Sequence, residues 1–407
     1  MALLLGPPDA QAQATAQAEP AAQAPQQVLH FTVAGAAVEG ALSAPPALPY
    51  EAERGFGWDD PQRFSVRLPE GQYRVTVHLP QGARTTVKAE ARRLMLEEAR
   101  GPGPHSFIVD VRTPALPPPP PNAPGGDRVR LTAGELAGPT WDDRLTLEFL
   151  GERPTGLTIA PADVPTIWLA GDSTVTDQRG EPAASWGQML PRFLAPQVAV
   201  ANHAHSGETL KSFLTALRFD KVLSHMREGD WLLIQFGHND QKAGWPQTYV
   251  AADSTYPAYL AAYIAEARRR GATPILVTSP ERRNFDEADR IVPSHGAYPD
   301  GVRALAAREN VPLIDLHAQS IAFYEALGPE RAALAFNEGG ADRTHHNNYG
   351  AYQLARMIAA GLARADPRLH ALVLPEARLY DPARPAPPER FALPASGVHA
   401  AERPAGS

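Results

Sequence analysis

The chain has 407 residues, 43% of them hydrophobic, with a formal net charge of −7 and no cysteine. That length suits two domains, and the missing cysteines exclude disulfides and thiolate ligands without choosing a compartment. The mild acidity and the lack of any basic block disfavour a nucleic-acid surface, and no apolar run approaches the ~20 residues of a membrane span.

Met1-Ala-Leu-Leu-Leu-Gly6 is apolar but short and has no charged segment ahead of it. Small residues around Ala10-Gln-Ala12 and an Ala/Gln/Pro tract to Gln27 follow. Two readings stand. Residues 1–27 are the back half of a secretory signal peptide, implying a periplasmic or secreted protein, or a plain Ala/Gln linker that leaves a cytoplasmic location open. Neither is expected to form packed structure.

Residues 28–163 have the texture of strands. Phe64–Leu68, Tyr73–Leu79, Thr85–Glu90, Ser106–Val111, Leu145–Phe149 and Leu157–Ala160 alternate apolar and polar residues. Turn signals such as Pro69-Glu-Gly71 and Pro80-Gln-Gly82 separate them, so an antiparallel β-sandwich is expected. The run Pro117–Pro121 and Gly125-Gly126 fall in one long, extended connection.

Residues 164–367 change character. Thr166–Ala170, Val198–Ala201, Trp231–Phe236, Pro274–Thr278 and Val311–Asp315 read as buried parallel strands. Ser185–Phe193, Leu210–His225, Tyr256–Arg269, Pro299–Asn310 and Tyr349–Arg364 show helical periodicity. This α/β alternation predicts a three-layer αβα, five-stranded sheet with its site outside the strands' carboxyl ends. Residues 368–407 are Pro-rich and aperiodic, and a surface-wrapping, then disordered, tail is expected.

Four blocks in the second region carry chemistry. Gly171-Asp-Ser173 ends the first strand, where a serine hydroxyl can meet a substrate and N–H groups an oxyanion. Asp172 is expected to anchor that turn. Gly207 in Asn202-His-Ala-His-Ser-Gly207 allows close backbone approach and offers a second N–H. Asn239 in Gly237-His-Asn-Asp240 supplies an uncharged amide donor. Asp342, three residues before His345, can hold the imidazole tautomer while the other ring nitrogen takes the serine proton. His346 is a second imidazole beside it, and the spacing favours His345.

Together these blocks resemble the SGNH/GDSL hydrolase superfamily, with the four letters of the first name falling on Ser173, Gly207, Asn239 and His345. The match spans roughly residues 165–367. Gly171-Asp-Ser-Thr-Val-Thr176, Ser185-Trp-Gly-Gln188, Gly207-Glu-Thr-Leu-Lys-Ser-Phe213 and Asp342-Arg-Thr-His-His-Asn347 with Gly350-Ala351 are similar to the rhamnogalacturonan acetylesterases of carbohydrate esterase family 12. Thr174 replaces the Leu of the GDSL name, as it does in that branch. The resemblance implies a flavodoxin-like hydrolase that removes acetyl groups from pectic polysaccharide. It implies Ser173, His345 and Asp342 as a triad, and Ser173, Gly207 and Asn239 as the oxyanion hole. No cofactor or metal is implied, and a monomer is expected. The strand-rich region more weakly resembles the galactose-binding-like sandwiches attached to some such esterases.

Specificity is harder to read. Arg282, Arg283, His295 and Tyr298 lie in or after the loop that leaves the fourth parallel strand, where an arginine could meet a uronate carboxylate or simply be solvated. Arg179 and Lys211 are further candidates of this kind. His203, His205 and His238 match no metal-ligand spacing. Glycan binding by the sandwich needs exposed aromatics; Phe56, Trp58, Trp141 and Trp168 are the candidates, and core packing is the alternative. Other outcomes left open are an acetylxylan or small-ester esterase and, in a different class, a non-catalytic glycan-binding protein.

Overall fold

The computed structural model describes residues 27–35, 38–120, 122 and 125–397; the signal-or-linker reading of the first residues and the end of the tail lie outside them. Ten strands come first: β1 (Leu29–Thr32), β2 (Leu42–Ser43), β3 (Phe56–Trp58), β4 (Arg63–Arg67), β5 (Gly71–Leu79), β6 (Arg84–Ala89), β7 (Arg93–Arg100), β8 (Gly103–Val111), β9 (Arg144–Gly151) and β10 (Gly156–Pro161). They form two sheets, ordered β2-β1-β10-β5-β8 and β3-β4-β9-β6-β7, antiparallel throughout except for the β1–β2 pair. The alternation in β5 decides its facing: Tyr73, Val75, Val77 and Leu79 are buried while Arg74, Thr76 and His78 are less so. Those side chains join Phe64, Val66, Val87, Leu145 and Leu147 of the other sheet in one core.

Five parallel strands follow: β11 (Thr166–Gly171), β12 (Ala199–Asn202), β13 (Trp231–Gln235), β14 (Thr273–Val277) and β15 (Leu313–Ile314), in the order β12-β11-β13-β14-β15. They are apolar on both faces because each face has its own core. Ile167, Leu169, Leu233 and Ile275 pack beneath the helices Trp186–Met189, Leu316–Ala333 and Asn348–Ala365. Trp168, Ala170, Leu232 and Ile234 pack beneath Leu210–Thr215, Arg218–His225, Thr255–Arg269 and Tyr298–Glu309. This is the three-layer αβα fold.

Four features depart from the expected elements. The helix expected over 210–225 is two helices, because Leu217 adopts a left-handed φ of +61° between them. The helix Leu316–Ala333 had no periodic signature; Gly328-Pro329 interrupts it, with Gly328 at φ +74°. Strand β7 is charge-rich and was not expected, because it is a seam: Met95 faces the sandwich core and Leu94 the αβα core. The tail begins with a helix, Pro367–Leu372, and its described remainder returns to the sandwich. There Ser396 meets Glu148 (2.6 Å), the Lys88 ammonium (2.9 Å) and, through its N–H, Glu181 (3.1 Å).

The proposed sugar-binding aromatics are packed rather than presented. Trp58 is 4% exposed and donates its indole N–H to Ala44 O at 3.1 Å. Trp168 donates to Asp230 at 2.9 Å, Trp141 lies against His203 and under Arg112, and Phe56 is half-buried against Phe31.

Candidate active site

Three strand ends and one loop meet at the carboxyl edge of the parallel sheet. At the end of β11 there is no room for a side chain on Gly171, since a Cβ would stand 2.5 Å from Val175 and 2.9 Å from Gln235 O. Asp172 then anchors the turn: its Oδ1 accepts from the N–H (3.0 Å) and hydroxyl (2.9 Å) of Thr174. Burial pushes that carboxyl up, with the Thr174 donors working against it. Gln178 fixes the Ser173 turn by donating to Ser173 O at 2.7 Å.

The chain beyond β12 continues alongside this turn, with His203 N–H on Leu169 O (3.0 Å) and His205 N–H on Gly171 O (3.2 Å). Asn202 bridges the two segments by donating to Val175 O (2.7 Å) and Asp177 (2.8 Å). Gly207 reaches φ +85°, a left-handed conformation that suits glycine. Beyond β13, Asn239 donates to Glu208 O at 3.1 Å. Asp240 ties the turn together by accepting from Gly237 N–H and Leu210 N–H, both at 2.9 Å. Burial pushes Asp240 up to about 7, the two N–H donors opposing. Among the described residues no acceptor takes the N–H of Ser173 or of Gly207.

The last loop closes the constellation. His345 Nε2 stands 2.9 Å from Ser173 Oγ, and His345 Nδ1 stands 2.9 Å from Asp342 Oδ2. Asp342 Oδ1 accepts from the N–H groups of Thr344 (2.8 Å) and His345 (3.0 Å), so the carboxylate is oriented by its own turn. Burial raises this carboxyl, but the imidazole and the two N–H donors outweigh it and hold it at about 2. Ser173 and His345 are almost wholly buried. The adjacent His346 points elsewhere: Tyr324 OH meets its Nε2 at 2.7 Å, and burial brings the ring down to about 3.

The specificity candidates divide. Arg282 lies behind the Asn239 block, donating to Ser294 Oγ (3.0 Å) and His238 O (3.4 Å). Arg283 donates to Gly340 O and stands over the Phe336 ring. His295 and Tyr298 do not reach a substrate surface. His295 is 1% exposed and paired with Pro280 O (3.0 Å) and Gln241 (3.1 Å), and Tyr298 OH is committed to Val250 O at 2.6 Å. Their chemistry is used to build the loop. Arg179 is exposed and Lys211 half-buried. The other histidines do not converge: His203 packs between Trp141 and Trp168, His205 faces Glu135, and His238 stands edge-on to His295. Gln178 had no sequence signal, since its partner is a backbone carbonyl.

An αβα sheet whose edge aligns a serine, an imidazole and a carboxylate defines a serine-hydrolase class of site. The GDSL-like lipase/acylhydrolase family matches residues 169–354. Rhamnogalacturonan acetylesterase RhgT of Bacillus subtilis is 41% identical over 209 residues, 48% of this chain and 88% of that protein. The probable rhamnogalacturonan acetylesterase YesY of the same organism is 37% identical over 207 residues, 48% of this chain and 91% of that one. The uncharacterised esterase YxiM, also from Bacillus subtilis, is 27% identical over 315 residues, 76% of each chain. The chain belongs to the GDSL-like lipase/acylhydrolase family, and it is a carboxylic ester hydrolase.

Proposed function

We propose that the protein is a rhamnogalacturonan O-acetylesterase working through Ser173, His345 and Asp342. The observation that carries the chemistry is the pair of 2.9 Å contacts linking Ser173 Oγ, the imidazole and Asp342. His345, held by Asp342, takes the Ser173 proton as Oγ attacks the acetyl carbonyl. The N–H groups of Ser173 and Gly207 and the Asn239 amide receive the oxyanion. The sugar oxygen leaves with the proton from His345. Water, deprotonated by the same imidazole, then releases acetate from Ser173. The pectic substrate is supported by the named activity of RhgT, the 41% identical relative.

The test is acetate release from acetylated rhamnogalacturonan beside acetylated xylan, with Ser173→Ala as control. Serine-dependent release favouring the pectic polymer is expected. Equal or xylan-favoured release would keep the chemistry and discard the substrate. No release from either polymer by folded protein would remove the polysaccharide reading altogether.

A further inference from the structure

One sequence block, Ser185-Trp-Gly-Gln188, has no part in the proposed mechanism, yet each of its residues meets the turn that carries Ser173. Ser185 donates to Thr176 O, and Trp186 N–H donates to Thr174 O at 3.3 Å. A Cβ on Gly187 would stand 2.2 Å from Val175 O, so the helix Trp186–Met189 starts directly against that backbone. Gln188 donates to Gln178 O at 2.9 Å, and Gln178 in turn to Ser173 O. The Trp186 indole reaches further. Its N–H donates to Gln235 Oε1 at 2.7 Å, Gln235 Nε2 donates to Thr174 Oγ1 at 2.6 Å, and Thr174 Oγ1 donates to Asp172 Oδ1 at 2.9 Å. Gln235 is the last residue of β13 and pairs with Gly171 of β11 in the sheet. All four side chains of this relay are buried.

The direction of the relay is set by its chemistry. An indole nitrogen only donates, so Gln235 must turn its oxygen to Trp186 and its amide nitrogen to Thr174. The Thr174 hydroxyl accepts that N–H, which leaves its own proton for Asp172. Asp172 Oδ1 is thereby held where it also takes the Thr174 N–H at 3.0 Å. Asp172 O accepts from Val175 N–H (3.1 Å) and Thr176 N–H (3.0 Å), and in a planar trans peptide the N–H of the next residue points the opposite way. That N–H belongs to Ser173. We propose that Trp186, Gln235 and Thr174 are positioning residues for ester cleavage, their hydrogen bonds fixing the Ser173 turn so that its N–H faces the oxyanion. A leucine at position 174, as in the GDSL name, could not carry the relay. The inference rests on the serine mechanism above and not on the pectic substrate.

The experiment measures kcat and KM on an aryl acetate, beside urea unfolding midpoints, for the full chain and its variants. Thr174→Val keeps the side-chain shape and removes the hydroxyl. Its kcat should fall about tenfold with KM unchanged, short of the ~10²–10³-fold that follows outright loss of an oxyanion donor. Thr174→Ser keeps the hydroxyl and loses a buried methyl, so it should lower the midpoint yet retain most of kcat. Gln235→Met breaks the same relay from β13 and should match the loss in Thr174→Val, and the double variant should lose no more than either alone. Full kcat in Thr174→Val and Gln235→Met, equal losses in Thr174→Ser and Thr174→Val, or losses that multiply in the double variant would overturn the relay. Ser173→Ala separates the two failures. If it keeps turnover, the serine mechanism falls and the relay with it; if turnover is lost there and kept in Thr174→Val, the relay alone falls.

Discussion

The parallel sheet and the sandwich both bury charge, but they use it differently. In the αβα layer, Ser173, His345 and Asp342 are joined by two 2.9 Å contacts at one sheet edge, and the buried Asn239 follows the neighbouring strand there. In the sandwich, Lys88, Arg92, Arg93 and Arg112 are as deeply buried, yet their partners belong largely to the other layer. Arg93 pairs with Asp177 at 2.6 Å and Arg92 with Glu181 at 2.8 Å. Arg92 also donates to the carbonyls of Gln178 (3.2 Å) and Ala183 (2.9 Å), and Arg112 donates to Asn202 O. These are the segments that carry or flank Ser173 and lead to Gly207. The sandwich therefore acts as a polar bracket on the turn that carries Ser173, and its buried tryptophans fit a packing role better than a glycan surface.

If that contrast is right, damage to the two regions should read out differently. The largest effect is expected at the sheet edge: Ser173→Ala should lower kcat by about 10⁴-fold or more with the unfolding midpoint nearly unchanged, measured on an aryl acetate beside urea denaturation. Arg93→Ala should do the opposite. Its side chain is 2% exposed and its loss leaves Asp177 buried, so about 3–5 kcal/mol of stability should go. Most turnover per folded molecule should survive. A turnover loss as deep as that of Ser173→Ala, at an unchanged midpoint, would make the bracket catalytic and erase the distinction. Asn239→Ala is expected between the two, lowering kcat about 10²–10³-fold as an oxyanion donor does. A change in KM alone would reassign Asn239 to substrate binding.

The same contrast explains what could be read in advance. Ser173, Gly207 and Asn239 were legible because each follows a short apolar strand, and strand order fixes where those ends lie. Asp342 and His345 were legible because they sit three residues apart on one turn. The sandwich strands with one solvent-facing side, such as β5, announced themselves by alternation. Strand β7 did not, because Glu97 and Arg93 pair with Arg192 and Asp177 of the other layer, partners far away in sequence. His295 and Tyr298 were expected to face substrate and instead bond Pro280 O and Val250 O, because whether a polar side chain faces substrate or a neighbouring carbonyl is set by tertiary packing.

The smallest effect tests the bracket's other end. The connection between β8 and β9 carries a short helix, Ala133–Leu136, whose Glu135 pairs with Arg218 at 2.7 Å. Arg218 in turn holds Glu208 at 3.0 Å, and Glu208 O is the acceptor of the Asn239 amide. Burial raises the Glu135 carboxyl, but the Arg218 guanidinium outweighs it and holds it at about 2. A carboxyl lowered on folding stabilises the native state above its unfolded pKa, near 4.5, and that contribution disappears as pH falls toward 2. It amounts to about 3 kcal/mol by linkage. Glu135→Gln should thus lose stability at neutral pH and show a flatter acid limb between about pH 4.5 and 2 than the parent. Because the lost contact acts through Arg218 and Glu208, a modest fall in kcat with an unchanged KM should accompany it. An unaltered acid limb would mean that Glu135 is not held by Arg218 in solution, leaving the bracket to Arg92, Arg93 and Arg112 alone.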